Sequence, residues 1–118
     1  MWEVEFTDQF EEWWDSLLDV QQDAIAAAVE ILQDDGPSLG RPLVDTIKGS
    51  RHSNMKELRP GTTGNLRVLF AFDPLRHAIL LIGGDKTGRW HEWYDEMLPV
   101  ADDLYDAHLQ ALRDEGVL

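Results

Sequence analysis

The chain has 118 residues, 43% of them hydrophobic and 28% charged, which fits one globular domain spanning residues 1–118. It has no cysteine, which excludes disulfides, thiolate metal sites and cysteine nucleophiles, and no apolar run of the ~20 residues that a membrane helix needs. A cytoplasmic location without membrane contact is therefore expected, and the net charge of −13 argues against general nucleic-acid binding.

In chain order, Trp2-Glu3-Val4-Glu5-Phe6 alternates apolar and acidic side chains, the period of a half-buried strand. Asp8 and Glu11 have capping-box spacing, and Phe10, Trp13, Trp14, Leu17 and Leu18 form one apolar stripe on a helix of about three turns. Asp19 can cap a second helix in which Ala24, Ile25, Ala28, Val29 and Leu32 share a face and Gly36-Pro37 ends the run. Because few residues separate them, the two helices are predicted to pair as an antiparallel hairpin. Residues 36–53 read as loop with a short strand at 43–47, and strands follow at 55–59, 66–72 and 77–82. Asp73-Pro74-Leu75-Arg76 supplies the turn between the last two, and Gly83-Gly84 closes the third. A final helix is predicted over 99–113, where Ala101, Leu104, Tyr105, His108 and Leu112 align and Gly116 can cap the end. The fold class is α+β: a small, mostly antiparallel sheet with the helical hairpin on one face and a C-terminal helix.

The charges are sorted along this plan. Residues 1–40 hold 11 acids and no Lys or Arg, residues 41–89 hold nine of the ten basic residues against four acids, and residues 90–118 hold eight acids and Arg113. A phosphate senses local potential over a Debye length, ~8–10 Å, so the basic centre is a candidate anion site inside an acidic chain.

The order strand, helical hairpin, three-strand meander resembles the RelE/ParE toxin superfamily of type II toxin–antitoxin systems. Met55-Lys56-Glu57-Leu58-Arg59, Leu66-Arg67-Val68-Leu69-Phe70 and Ile79-Leu80-Leu81-Ile82-Gly83-Gly84-Asp85-Lys86 resemble its phage Gp49-like, HigB-type branch. The resemblance implies a RelE-like fold and a ribosome-dependent endonuclease that cuts messenger RNA and inhibits translation. It implies a cognate antitoxin partner with a helix-turn-helix DNA-binding domain, and no cofactor. By position in the matching motifs it implies Lys56, Arg59, Arg67 and Lys86 as catalytic residues. Lys48, Arg51, Arg89, His91 and Tyr94 are carried over more loosely as RNA-binding residues. Characterised members are mostly basic overall, and this chain departs from them at −13.

RNA cleavage by its own 2′-hydroxyl needs a base, cationic stabilisation of the transition state and an acid for the leaving oxygen; no metal is required. Strand periodicity sets Arg67 opposite Val68, Phe70 and Phe72. If that apolar set faces the hairpin, Arg67 emerges on an open face with Lys56 or Arg59, according to register, and with Lys86 beside them. As solvent-facing cations, Arg67 and Lys56 are expected to tolerate alanine at a stability cost within ~0.5 kcal/mol. His52 and His77 read as solvated and His108 as half-buried, while Asp102 and Asp103 read as helix-end or surface acids. His91-Glu92-Trp93-Tyr94-Asp95 lacks the second histidine of a zinc-protease motif, and Gly83-Gly84-Asp85-Lys86-Thr87-Gly88 lacks P-loop spacing. Two other functions fit the same fold: a ParE-like gyrase inhibitor without nuclease activity, and an inactive acidic protein-binding module.

Overall fold

The computed structural model describes residues 1–61, 64–88 and 90–118, apart from the Trp90 side chain. In chain order the elements are β1 (Glu3–Phe6), α1 (Asp8–Asp15), α2 (Asp19–Asp35), a 3₁₀ turn (Gly36–Ser38), β2 (Val44–Thr46), β3 (Met55–Leu58), β4 (Leu66–Phe72), β5 (His77–Asp85) and α3 (Trp90–Asp114). The five strands form one sheet in the order β1-β5-β4-β3-β2. Among the described residues only the β1–β5 pairing is parallel. No described helix is long and apolar enough to cross a membrane.

Sheet periodicity sends alternate residues to two separate cores. Leu58, Val68, Phe70, Phe72 and Leu80 face the hairpin, where Phe10, Ile25 and Leu32 are buried against them. Met55, Leu69, Ala71, Ile79 and Leu81 face the other way, onto Trp93, Ala101 and Tyr105 of α3. The face expected to be open is therefore covered by the last helix. That helix also starts about nine residues earlier than predicted and carries Pro99 inside it. An internal proline lacks one helical donor and crowds the preceding turn. Burial of Trp93 before it and of Ala101 and Tyr105 after it fixes both flanking segments against the sheet.

The N-caps of α1 and α2 each lie one residue before the predicted position, and α1 ends at Asp15, before the predicted Leu17 and Leu18. Thr7, not Asp8, caps α1: its Oγ1 accepts from Phe10 N–H at 3.0 Å and donates to the Leu81 carbonyl at 2.6 Å. At α2 the cap position is Leu18, whose N–H donates to the Gln21 side chain at 2.9 Å. Nor does the third meander strand end at Gly83-Gly84. Both glycines lie within β5, and a Cβ on Gly83 would overlap the Trp13 ring, whereas one on Gly84 would overlap Trp93. The two glycines seat one tryptophan from each helical layer.

Several polar residues read as surface groups instead tie α3 to the sheet. Asp102 is buried and accepts from Ser50 Oγ and Arg51 N–H. His52 Nε2 lies 2.7 Å from Asp106, its ring edge-on to Tyr105. His77 Nδ1, read as solvated, and His108 Nε2, half-buried as expected, meet the buried Asp73 carboxylate at 3.0 and 2.8 Å. Burial favours the acid form of Asp73, but hydrogen bonds from His108 and His77 outweigh it and hold its pKa below the usual carboxylate value.

Candidate active site

Glu57 is the centre of the charged cluster. On β3 it shares a face with Met55, so its carboxylate points toward α3 and is almost fully buried. Its register partner on β4 is Leu69, and Arg67 stands two residues away on the same face. The partner of Arg67 on β5 is Gly84, whose missing side chain leaves the space that the Trp93 indole fills. Arg59 follows the end of β3 and reaches back along that edge.

The distances define one network. Arg67 Nε lies 3.2 Å from Glu57 Oε1, and Arg59 Nη2 lies 3.1 Å from Oε2. The Tyr94 hydroxyl donates to Oε1 at 2.6 Å, and Lys86 Nζ donates to the Tyr94 oxygen at 3.4 Å. Arg67 Nη1 donates to the carbonyls of Leu66 and Gly64 at 2.7 and 3.0 Å, which fixes the plane of the guanidinium. The Nε atoms of both arginines are buried without a hydrogen-bond partner; at Arg67 the approach to Glu57 is close enough for an ion pair but not aligned for a hydrogen bond. Two arginines thus pair with one carboxylate and Lys86 joins it through Tyr94, with Asp45 3.2 Å from Arg59 at the outer edge.

This crowding shifts proton affinities. Burial, followed by the charge of Arg67, pulls the Lys86 ammonium below the ordinary lysine pKa. Burial and the Glu57 hydrogen bond push the Tyr94 hydroxyl up to about 12, so it stays protonated at neutral pH and serves as a donor. The cluster lies under the first turns of α3, and a groove of about 410 Å³ lined by Lys48, Gly49, Leu98 and Pro99 opens beside Tyr94.

The structure thus brings together Arg59, Arg67, Lys86 and Tyr94 from the sequence-derived candidates. Lys56 is not with them. It faces the hairpin layer, since its register partner is Phe70, and its ammonium donates to Thr46 Oγ1 at 3.2 Å. Arg67 lies on the predicted face but is only 8% exposed, so the expected solvent-facing cation is a buried one. Lys48 is exposed at the groove rim. Arg51 is engaged by Asp103 and Asp106 at 2.9 and 2.6 Å and lies 3.9 Å from Asp102, so it anchors α3. His91 is exposed in the first turn of α3, and Arg89 lies outside the described residues. Glu57 is the residue that sequence reading passed over. Its signal was its place on one strand face between Met55 and Arg59.

Residues 12–106 match the family described as phage derived protein Gp49-like (DUF891), which is most of the chain. The chain belongs to the Gp49-like family. It is 51% identical over 104 residues to the putative toxin HigB2 of Mycobacterium tuberculosis, covering 86% of this chain and 52% of that protein. It is 50% identical over 94 residues to the putative toxin HigB3 of the same organism, covering 80% and 82%. The Gp49-like chain therefore spans about half the length of the first relative and most of the second. Its fold is that of RelE: the RelE–RelB complex from Pyrococcus horikoshii matches with a TM-score of 0.58 at 18% identity, covering 75% of this chain and 97% of that one.

Proposed function

We propose that this chain is the toxin of a type II toxin–antitoxin system, an endoribonuclease that cuts messenger RNA on the ribosome and is held in check by a cognate helix-turn-helix antitoxin. The observation that carries the reading is the pairing of Arg59 and Arg67 with a single buried carboxylate, to which Lys86 is joined through Tyr94. An inhibitor of a protein target has no need of converged, partly desolvated cations, whereas a phosphoryl transition state does. In this scheme Arg59 and Arg67 take the charge that develops on the phosphate oxygens, a role suited to rigid guanidinium forks. Lys86, with its lowered pKa, exchanges a proton with the reacting oxygens at lower cost than an ordinary lysine. Tyr94 donates, and Glu57 positions both arginines. The cations supply the transition-state charge, so the reaction runs without a metal. Lys56, on the other face, takes no part.

Growth arrest on expression in bacteria tests this. Translation should stop, and Lys86→Gln should lower cleavage of ribosome-bound messenger by about 10²–10³-fold, as loss of one preorganised charge does elsewhere. Arg76→Ala should remain toxic: Arg76 lies at the β4–β5 turn over the Trp2 ring, away from the cluster. A DNA-damage response would point instead to a gyrase inhibitor, and absence of any growth effect to a binding module.

A further inference from the structure

The acidic N-terminal block plays no part in the scheme above, yet it builds a sizeable apolar groove of its own. This groove, about 540 Å³, runs between β1, α1 and α2 on the far side of the sheet from Glu57. Phe10, Ile25 and Leu80 form its floor, and Phe6 and Val29 its apolar walls. Phe6 is 56% exposed, an unusual state for a phenylalanine beside a core. Glu11, Asp15 and Glu30 also line it, and the segment that supplies all its lining except Leu80 contains no Lys or Arg.

We propose that this groove is the docking site for the cognate antitoxin, through an amphipathic segment with apolar anchors at helical spacing and lysines or arginines flanking them. The identity of the partner rests on the toxin reading; the chemistry of the segment rests on the groove. An apolar trough seats anchors, and the surrounding carboxylates select a cationic flank. The same charges reject the other occupants. A second copy would bring another −13 chain with the same acidic hairpin, and RNA or an anionic lipid surface would be repelled. The basic centre is a poorer dock, because accessible arginines in it are already engaged: Arg41 by Asp45, Arg59 by Asp45 and Glu57, and Arg51 by α3. Neutralisation would then act from the opposite face, by holding the toxin off the ribosome rather than by plugging the cluster.

Ala26 lines the groove and is exposed, so Ala26→Arg fills it with a long cationic side chain while keeping a good helix former. Two probes separate partner from chemistry. The first is a synthetic helical peptide of about 18 residues with leucines at positions i, i+3, i+4 and i+7 and flanking lysines, compared with the same peptide carrying glutamates. Fluorescence anisotropy should show binding of the lysine peptide alone, weakened about tenfold or more by Ala26→Arg. The triple variant Glu11→Gln, Asp15→Asn, Glu30→Gln should flatten its salt dependence. Circular dichroism and melting of each variant check that the fold is kept. The second probe is the antitoxin itself: with it co-expressed, Ala26→Arg should arrest growth where the parent chain is neutralised. Equal binding of both peptides, binding indifferent to Ala26→Arg, or a dimer in sedimentation that Ala26→Arg dissolves would each overturn the assignment. If the chain arrests no growth, the toxin reading fails, while the peptide titration still decides the groove.

Discussion

Glu57 and Arg67 form an ion pair that water scarcely reaches, their side chains 4% and 10% exposed. Removing one partner of such a pair leaves the other buried and uncompensated, which costs far more than losing a surface charge. Arg67→Ala should therefore destabilise the chain by about 3 kcal/mol, several times the ~0.5 kcal/mol of a solvent-facing arginine. The double variant Glu57→Leu, Arg67→Met should recover much of that loss, because it removes the buried charges together. Urea unfolding of the two single variants and the double one measures this, and a loss under ~0.5 kcal/mol in Arg67→Ala would mean that the pair is solvated. Strand alternation set the face of Arg67 without ambiguity, because Val68, Phe70 and Phe72 could only point to a core. It could not set the depth. Depth depends on α3 folding back over that face, and no local pattern in 66–72 encodes it. Glu57 escaped notice for a related reason: a lone acid among basic residues looks like a solvated neighbour until the sheet turns it inward. Lys56 went astray through register, since one residue along a strand exchanges one face for the other.

The strands and the helical hairpin were legible as elements because each carries a clean period and a polar or glycine-proline stop. The first half of α3 was hidden by Pro99, which locally reads as a helix start, although Trp90, Trp93, Tyr94, Met97 and Leu98 fall at i, i+3, i+4, i+7 and i+8. Gly83-Gly84 misled in the opposite direction. A glycine pair after an apolar run signals a strand end, yet here the strand continues because two indole rings occupy the space their side chains would fill. This arrangement makes the sheet–helix contacts sensitive to a single methyl group. Gly83→Ala and Gly84→Ala should each destabilise by about 1–3 kcal/mol, the range for overpacking a close-packed interior. Tryptophan emission should shift as the displaced ring gains water. Gly40→Ala is the control: a Cβ there meets nothing within 4 Å, and its effect should stay within about 0.5 kcal/mol. Equal stability of all three variants in urea would show that the indoles do not rest on the glycines.

Over the whole molecule, the sorted charges resolve into three layers with different tasks. The hairpin layer is acidic and carries the apolar groove; α3 is acidic and holds the 41–58 segment through Arg51 and His52. The sheet between them keeps Arg59 and Arg67 in ion pairs and Lys86 buried, so the basic centre seen along the sequence projects less free positive potential into solvent than its charge count implies. A chain at −13 built this way has weak attraction for RNA at long range. Nuclease chemistry on it must therefore take its substrate already positioned, with the ribosome supplying the alignment that the protein's own field does not. This has a measurable signature. For single-stranded RNA, log K falls with log salt at about 0.7 per phosphate neutralised, and at most Arg59, Arg67 and Lys86 are placed to neutralise phosphates at the site. The isolated protein should then bind single-stranded RNA weakly, with a salt slope no steeper than about −2, and should leave naked messenger uncut where ribosome-bound messenger is cleaved. A steep salt dependence, or efficient cutting of naked RNA that Lys86→Gln abolishes, would show that the cluster recruits its own substrate and that the ion pairs of the free chain open without help.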